Sequence, residues 1–298
     1  MKINLGLHLG FAATRYNEPK IWTDIVRNEL KIRHIQFVSD LIEPSLPNEI
    51  IKYKISELKY YLKKNDIIIK HSITSSRKNY LGHYDKRIRS YWFNWLKKFI
   101  DISSKLGVEG VGTMPGILTF NDLNNNYKPR MLNIISGWNE LSKYAKTKKI
   151  KYLFWEPMSV KRELGDTIKS TIKINKILNE KSKIPILLNL DVDHGNHLTS
   201  NPDDFNPYKW LEKLGNYSPC IHLKQKTKDI YSHKPFIKIY NKKGIIKPKK
   251  ILSVIKKLKL KEITMYFEFS FREREPYDSR AIKDIKESIE YWRKYLDE

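Results

Sequence analysis

The sequence predicts a (β/α)8 barrel built as a single domain over residues 1–298. Three observations predict it. Short β-like runs alternate with helical patterns from one end to the other, and strict alternation requires parallel strands joined by right-handed crossovers. Eight such units in 298 residues is the usual size of a closed eight-stranded barrel. Polar residues also gather where four successive strands end, the face on which such barrels carry their active sites. The alternative is an open doubly wound sheet, but no Gly-x-Gly-x-x-Gly follows the first strand.

The elements follow in order. The first strand is "KINLGLH" (2–8), with a helix near 19–30. "RHIQFV" (33–38) is the second strand, followed by a helix with Ile51, Ile55, Leu58 and Tyr61 at helical spacing. "DIIIKHS" (66–72) is the third. A long helix over 84–105 then carries Ile88, Tyr91, Trp92, Trp95, Phe99 and Ile102 as a stripe expected in the core, and Gly107 ends it as a C-cap. "VEGVGT" (108–113), a helix over 129–147, "KYLFWE" (151–156) and a helix over 165–180 complete the fourth and fifth units. "IPILLNLD" (184–191), a helix over 206–214 and "PCIHLK" (219–224) follow. A polar loop over 225–246 leads to a helix over 247–258 with Pro248 in its first turn, then "EITMYFEF" (262–269) and a last helix over 278–296.

Composition narrows the function. Hydrophobic residues make up 40% and aromatics 12%, enough for one large core. No apolar run approaches the roughly 18 residues that span a bilayer, and "MKINLGLHLGF" lacks the apolar block of a signal peptide. Cys220 is the only cysteine, so an internal disulfide and a thiolate zinc site are both excluded and a cytoplasmic location is expected. The net charge is +24. The lysines are scattered, often in pairs such as Lys97-Lys98 and Lys256-Lys257. With no dense basic helix or Arg-rich arm, this predicts a solvated basic surface, not a specific nucleic-acid partner. Monomer and homo-oligomer both stay open.

The strand ends carry the chemistry. "LLNLDVDHGN" (187–196) turns from a buried strand into Asp191, Asp193 and His194. The fifth strand ends in Glu156, the sixth in Asp191, the seventh carries His222 and the eighth ends in Glu268. Three carboxylates in one pocket repel one another, and protons or a cation must relieve them. Three oxygen donors and one imidazole suit a single divalent ion, Mn²⁺, Mg²⁺, Co²⁺ or Zn²⁺. His194 is expected to turn back over this site. Taken singly, each residue could instead be a helix cap or a partner for a nearby lysine; the coincidence of four successive strand ends favours the metal.

On these residues the chain resembles the xylose isomerase-like TIM barrels of the sugar-phosphate isomerase/epimerase superfamily. Leu190-Asp191-Val192-Asp193-His194 matches the Leu-Asp-x-x-His of ketose 3-epimerases, and "KLGVEGVGTMPG" (105–116) is similar to their fourth-strand entry. "EPMSVKRE", "LDVDHG" and "IHLKQ" resemble the tetrulose-phosphate epimerases most. The resemblance implies that Glu156, Asp191, His222 and Glu268 bind one metal, with Mn²⁺ favoured. It also implies that Glu156 and Glu268 are the catalytic acid/base pair on opposite faces of a ketose, passing through an enediolate. His194 would then hydrogen-bond a substrate oxygen.

Ketose epimerases tend to have arginine six residues after the histidine ligand, where this chain has Lys228. Lys224, Lys226 and Lys228, with Arg272 and Arg274 after the eighth strand, form an expected cationic rim suited to a sugar phosphate. His8 and His71, ending the first and third strands, are expected either to contact substrate or to pack, and His233 in the long loop is an expected substrate contact. Two alternatives share the fold. An endonuclease IV-like nuclease would need three zinc ions and more mouth-facing histidines than this chain's 8 histidines supply, and Asp229 and His233 have the wrong spacing for it. An inosose dehydratase-type lyase would keep the same ligands and differ in its product.

Overall fold

The structure is a computed structural model and describes residues 1–74, 78–227 and 233–296. Its strands are β1 (Lys2–His8), β2 (His34–Val38), β3 (Ile68–Ile73), β4 (Gly110–Thr113), β5 (Tyr152–Trp155), β6 (Ile186–Asp191), β7 (Cys220–Leu223) and β8 (Glu262–Phe267). They close in sequence order into a barrel, every neighbour parallel, with β8 returning to β1. The helices that cover it are α1 (Pro19–Asp24), α2 (Asn48–Lys64), α3 (Lys86–Lys105), α4 (Phe120–Asn125), α5 (Tyr127–Thr147), α6 (Ile168–Asn179), α7 (Pro207–Leu214), α8 (Lys238–Lys243), α9 (Pro248–Ile255) and α10 (Ala281–Arg293).

The strand period of two divides each strand between barrel interior and helix layer. On β5, Leu153 and Trp155 turn outward, and the Trp155 indole donates to Asn175 of α6 at 2.9 Å. Tyr152, Phe154 and then Glu156 turn inward. The inner face is polar at several levels. Near the bottom, Asn4 donates to Glu262 at 2.6 Å. One level up, His71 lies between the hydroxyls of Tyr266 (2.8 Å) and Tyr152 (2.6 Å). The mouth level holds Glu156, Asp191, His222 and Glu268.

Three local expectations change. The exposed start of α3 leaves Ile88 and Tyr91 outside the core, and its buried stripe begins at Trp95. Residues 225–246 are not simply a polar loop: Gln225 and Lys234 form an antiparallel bridge, α8 follows, and Phe236 and Ile246 are fully buried. The third strand runs on to Ile73, so His71 lies one inward-facing position short of its end. Gly107 is left-handed (φ +78°) after α3, and Pro248 opens α9.

Candidate active site

Barrel register assembles the site. Asp191 and His222 are direct partners across β6 and β7, so their side chains point inward together. Glu156 and Glu268 follow the last residues of β5 and β8 on the inward phase. One ligand atom from each of Glu156, Asp191, His222 and Glu268 lies within 4.8 Å of the others. His8, His222 and Glu268 also come together. Among the described residues, both groups share His222 and Glu268 and are therefore one locus, not the spread of ligands that three ions require.

Hydrogen bonds orient the imidazole. His222 Nε2 lies 2.7 Å from Gln36 Oε1, an oxygen that only accepts. One hydrogen is therefore on Nε2, and Nδ1 faces Glu156 and Glu268, each 3.1 Å away, where it carries either a proton shared with them or, once that proton is displaced, a cation. Burial opposes a charge on His222, but Glu268 and Glu156 outweigh it and push its pKa up to about 10. The same field favours a metal ion at Nδ1. Burial would raise the Asp191 carboxyl, yet His194 and Lys224 hold it well below the usual carboxylate range. Glu268 is likewise held down, by His222 and Lys224 against burial.

A divalent ion fits this donor set. Three carboxylates and the Lys224 ammonium leave two negative charges, which one such ion balances. Asp191 Oδ2 is buried and takes no hydrogen bond of good geometry, although Lys224 Nζ lies 2.5 Å away. All the donors are hard oxygens or imidazole nitrogen, as Mn²⁺ or Mg²⁺ chemistry prefers.

The turn after β6 explains "LDVDHG". The Asp193 amide donates to Asp191 Oδ1 at 2.8 Å and fixes that carboxylate. His194 folds back, with Nδ1 donating to the Pro157 carbonyl at 2.8 Å and Nε2 lying 3.4 Å from Asp191 Oδ2. Gly195 has φ +117°, and a Cβ there would sit 2.1 Å from the Asp204 carbonyl oxygen, so only glycine lets the turn pass. Asp193 Oδ2 accepts from the His233 amide at 3.1 Å and lies 3.5 Å from its Nδ1.

A cavity of about 440 Å³ opens above the site, lined by Glu156, His222 and Glu268 together with His8, His194, Lys224 and His233, while Asp191 lies buried beneath Lys224. Burial drives the His8 pKa down to about 4. Lys224, with burial, does the same to His233. The expected cationic rim changes. Lys224 and Lys226 are each 2% exposed. Lys224 bridges Asp191 and Glu268 on the cavity floor, and Lys226 donates to the Asp193 carbonyl at 3.0 Å. Arg272 is exposed and does not line the cavity. Arg274 borders a neighbouring groove. Lys228 and Asp229 fall outside the described residues. His71 is no pocket residue: it is buried one level below, and Ile73 and Thr74 line the cavity in its place. Two residues escaped the sequence reading. Gln36 sits inside a strand with nothing local to mark it. Arg15 lies in the β1 loop, faces the cavity and is held by Asp278 at 2.5 Å.

A family model described as xylose isomerase-like TIM barrel matches residues 27–295. The chain belongs to this family. A D-erythrulose 1-phosphate 3-epimerase of Brucella abortus (strain 2308) is 32% identical over 302 residues, spanning 100% of this chain and 97% of that protein. A solved structure from Rhodospirillum rubrum, provisionally named a xylose isomerase, superposes with a TM-score of 0.87 at 20% identity, over 98% of this chain and 99% of the other. The D-psicose 3-epimerase of Clostridium cellulolyticum H10, solved with D-tagatose, gives a TM-score of 0.70 at 14% identity over 98% and 99% of the two chains. This xylose isomerase-like barrel is thus an isomerase of the sugar isomerase/epimerase superfamily. Among its described residues no helix is long and apolar enough to cross a membrane.

Proposed function

We propose that the protein is a divalent-metal-dependent 3-epimerase of a tetrulose phosphate. The observation that carries the chemistry is the meeting of Glu156, Asp191, His222 and Glu268 in one cluster, three of which line the cavity. The substrate class rests on the 32% identity, end to end, with the Brucella D-erythrulose 1-phosphate 3-epimerase. The four residues would hold the ion, Mn²⁺ by our preference, which when bound supplies Lewis acidity to a carbonyl oxygen.

The remaining chemistry belongs to side chains. Glu156 comes from β5 and Glu268 from β8, so the two carboxyl groups approach a bound ketose from different sides. One, as carboxylate, takes the proton from C3. The C–H electron pair becomes a C2–C3 double bond, and the carbonyl π pair moves onto O2. The other, as carboxylic acid, returns a proton to the opposite face of C3 as the carbonyl re-forms. The pair ends with its protonation exchanged and resets through solvent. His194, fixed by the Pro157 carbonyl, is available to a substrate hydroxyl.

The test is turnover of D- and L-erythrulose phosphates with Mn²⁺ in D₂O. Epimerisation with one deuterium entering at C3 is expected. Glu156→Gln and Glu268→Gln should each lose on the order of 10²-fold or more in kcat, with a smaller change in KM. The variant that keeps the abstracting base should still exchange the C3 proton. Near-parental turnover in both, with metal bound, would overturn the two-glutamate reading.

A further inference from the structure

Burying an ammonium in a protein interior is costly unless it is well paired. Lys224 is buried at the cavity floor, and the strand period explains how it gets there. His222 points inward on β7, Leu223 points outward into the core, and Lys224 falls on the inward phase one level above His222. Its ammonium is 2.5 Å from Asp191 Oδ2 and hydrogen-bonds Glu268 Oε2. A lysine has three N–H donors. One N–H donates to Glu268, the ion pair with Asp191 occupies a second direction, and the side chain lines the cavity, which leaves the third for a bound molecule. Lys226, equally buried, spends its ammonium on the backbone and carboxylate of Asp193 and does not line the cavity. Charge neutralisation alone would not require a lysine side chain on the wall of the space where a substrate sits.

We propose that Lys224 is a catalytic residue of the epimerisation, donating its third N–H to the substrate oxygen that gains charge as the C3 proton leaves. This rests on the function proposed above. The proton passes from C3 to one glutamate, and the carbonyl π electrons collect on O2. Lys224 donates a hydrogen bond to O2 and keeps its proton, because Asp191 and Glu268 on either side hold the ammonium charged. When the other glutamic acid returns a proton to C3, the electron pair on O2 re-forms the carbonyl. A donor aimed at charge that exists only along the reaction lowers the barrier without tightening substrate binding.

The experiment uses the metal-loaded protein and begins with the parent. If the parent does not epimerise a tetrulose phosphate, the proposed function fails before Lys224 is tested. Given an active parent, Lys224→Met should lower kcat on the order of 10²-fold while KM changes little. Bound metal per chain, measured by elemental analysis, should match the parent. Affinity for glycolohydroxamate, an enediolate mimic, should fall by a factor similar to that in kcat. Lys224→Gln, which keeps a neutral donor, should recover part of both losses. Parent-like kcat in a folded, metal-loaded Lys224→Met would overturn the proposal. So would a loss of turnover that tracks lost metal and is restored by excess Mn²⁺, which would make Lys224 only a support for the ligands. Failure of both variants to fold would also overturn it, by assigning Lys224 to holding the barrel mouth together.

Discussion

Replacing Gln36 with leucine should separate metal affinity from stability. Gln36 and His222 are both fully buried, and a 2.7 Å hydrogen bond joins Gln36 Oε1 to His222 Nε2. Leucine leaves that imidazole N–H without a partner, a cost of about 1–3 kcal/mol. Gln36 Nε2, however, is itself buried without a hydrogen-bond partner, and leucine removes that orphan donor with a gain of the same order. The two effects offset, so unfolding free energy should change by no more than about 1 kcal/mol. Metal affinity should not be spared, because the lost bond is what fixes the tautomer and ring orientation that present Nδ1 to the ion. A partner of this kind is typically worth about 10–100-fold in affinity, or about 1.4–2.7 kcal/mol. The assay is Mn²⁺ titration against a competing chelator, paired with urea unfolding in excess chelator. Affinity within about threefold of the parent would refute the role given to Gln36, whatever the stability.

Two further outcomes follow from the same geometry. Asp191→Asn removes one charge and one hard oxygen donor, and elemental analysis should find most of the bound metal gone; full occupancy would sink the ligand assignment. His71 has its pKa driven down to about 3 by burial, below the usual value near 6.5, so the unfolded chain binds a proton that the folded one refuses. Stability from this group is therefore lost as pH falls from about 6.5 toward 3, about 2 kcal/mol of it by pH 5. In His71→Gln the drop in urea midpoint between pH 7.5 and 5.0 should shrink accordingly, and an unchanged drop would exclude His71 as its source.

What the sequence determined by itself is whatever depends on short-range pattern. Alternating runs of apolar residues and helical periodicity defined eight strand and helix units, because each pattern is set by its own few neighbours. The polar residues ending four consecutive strands were visible for the same reason: Glu156, Asp191, His222 and Glu268 each interrupt an apolar run. Register and closure decided the rest. Gln36 meets His222 across 186 positions of sequence, and no local feature of "RHIQFV" announces that contact. His71 was expected at the mouth, but two more residues of strand lower it beneath the cavity, since each inward-facing position is a separate layer of the barrel. Lys224 and Lys226 look like surface lysines in a chain of net charge +24. They are buried because β7 lies between β6 and β8, whose Asp191 and Glu268, with Asp193 in the turn after β6, supply the opposite charge. A lysine's burial is decided by the carboxylates the fold brings to it, and those lie on other strands.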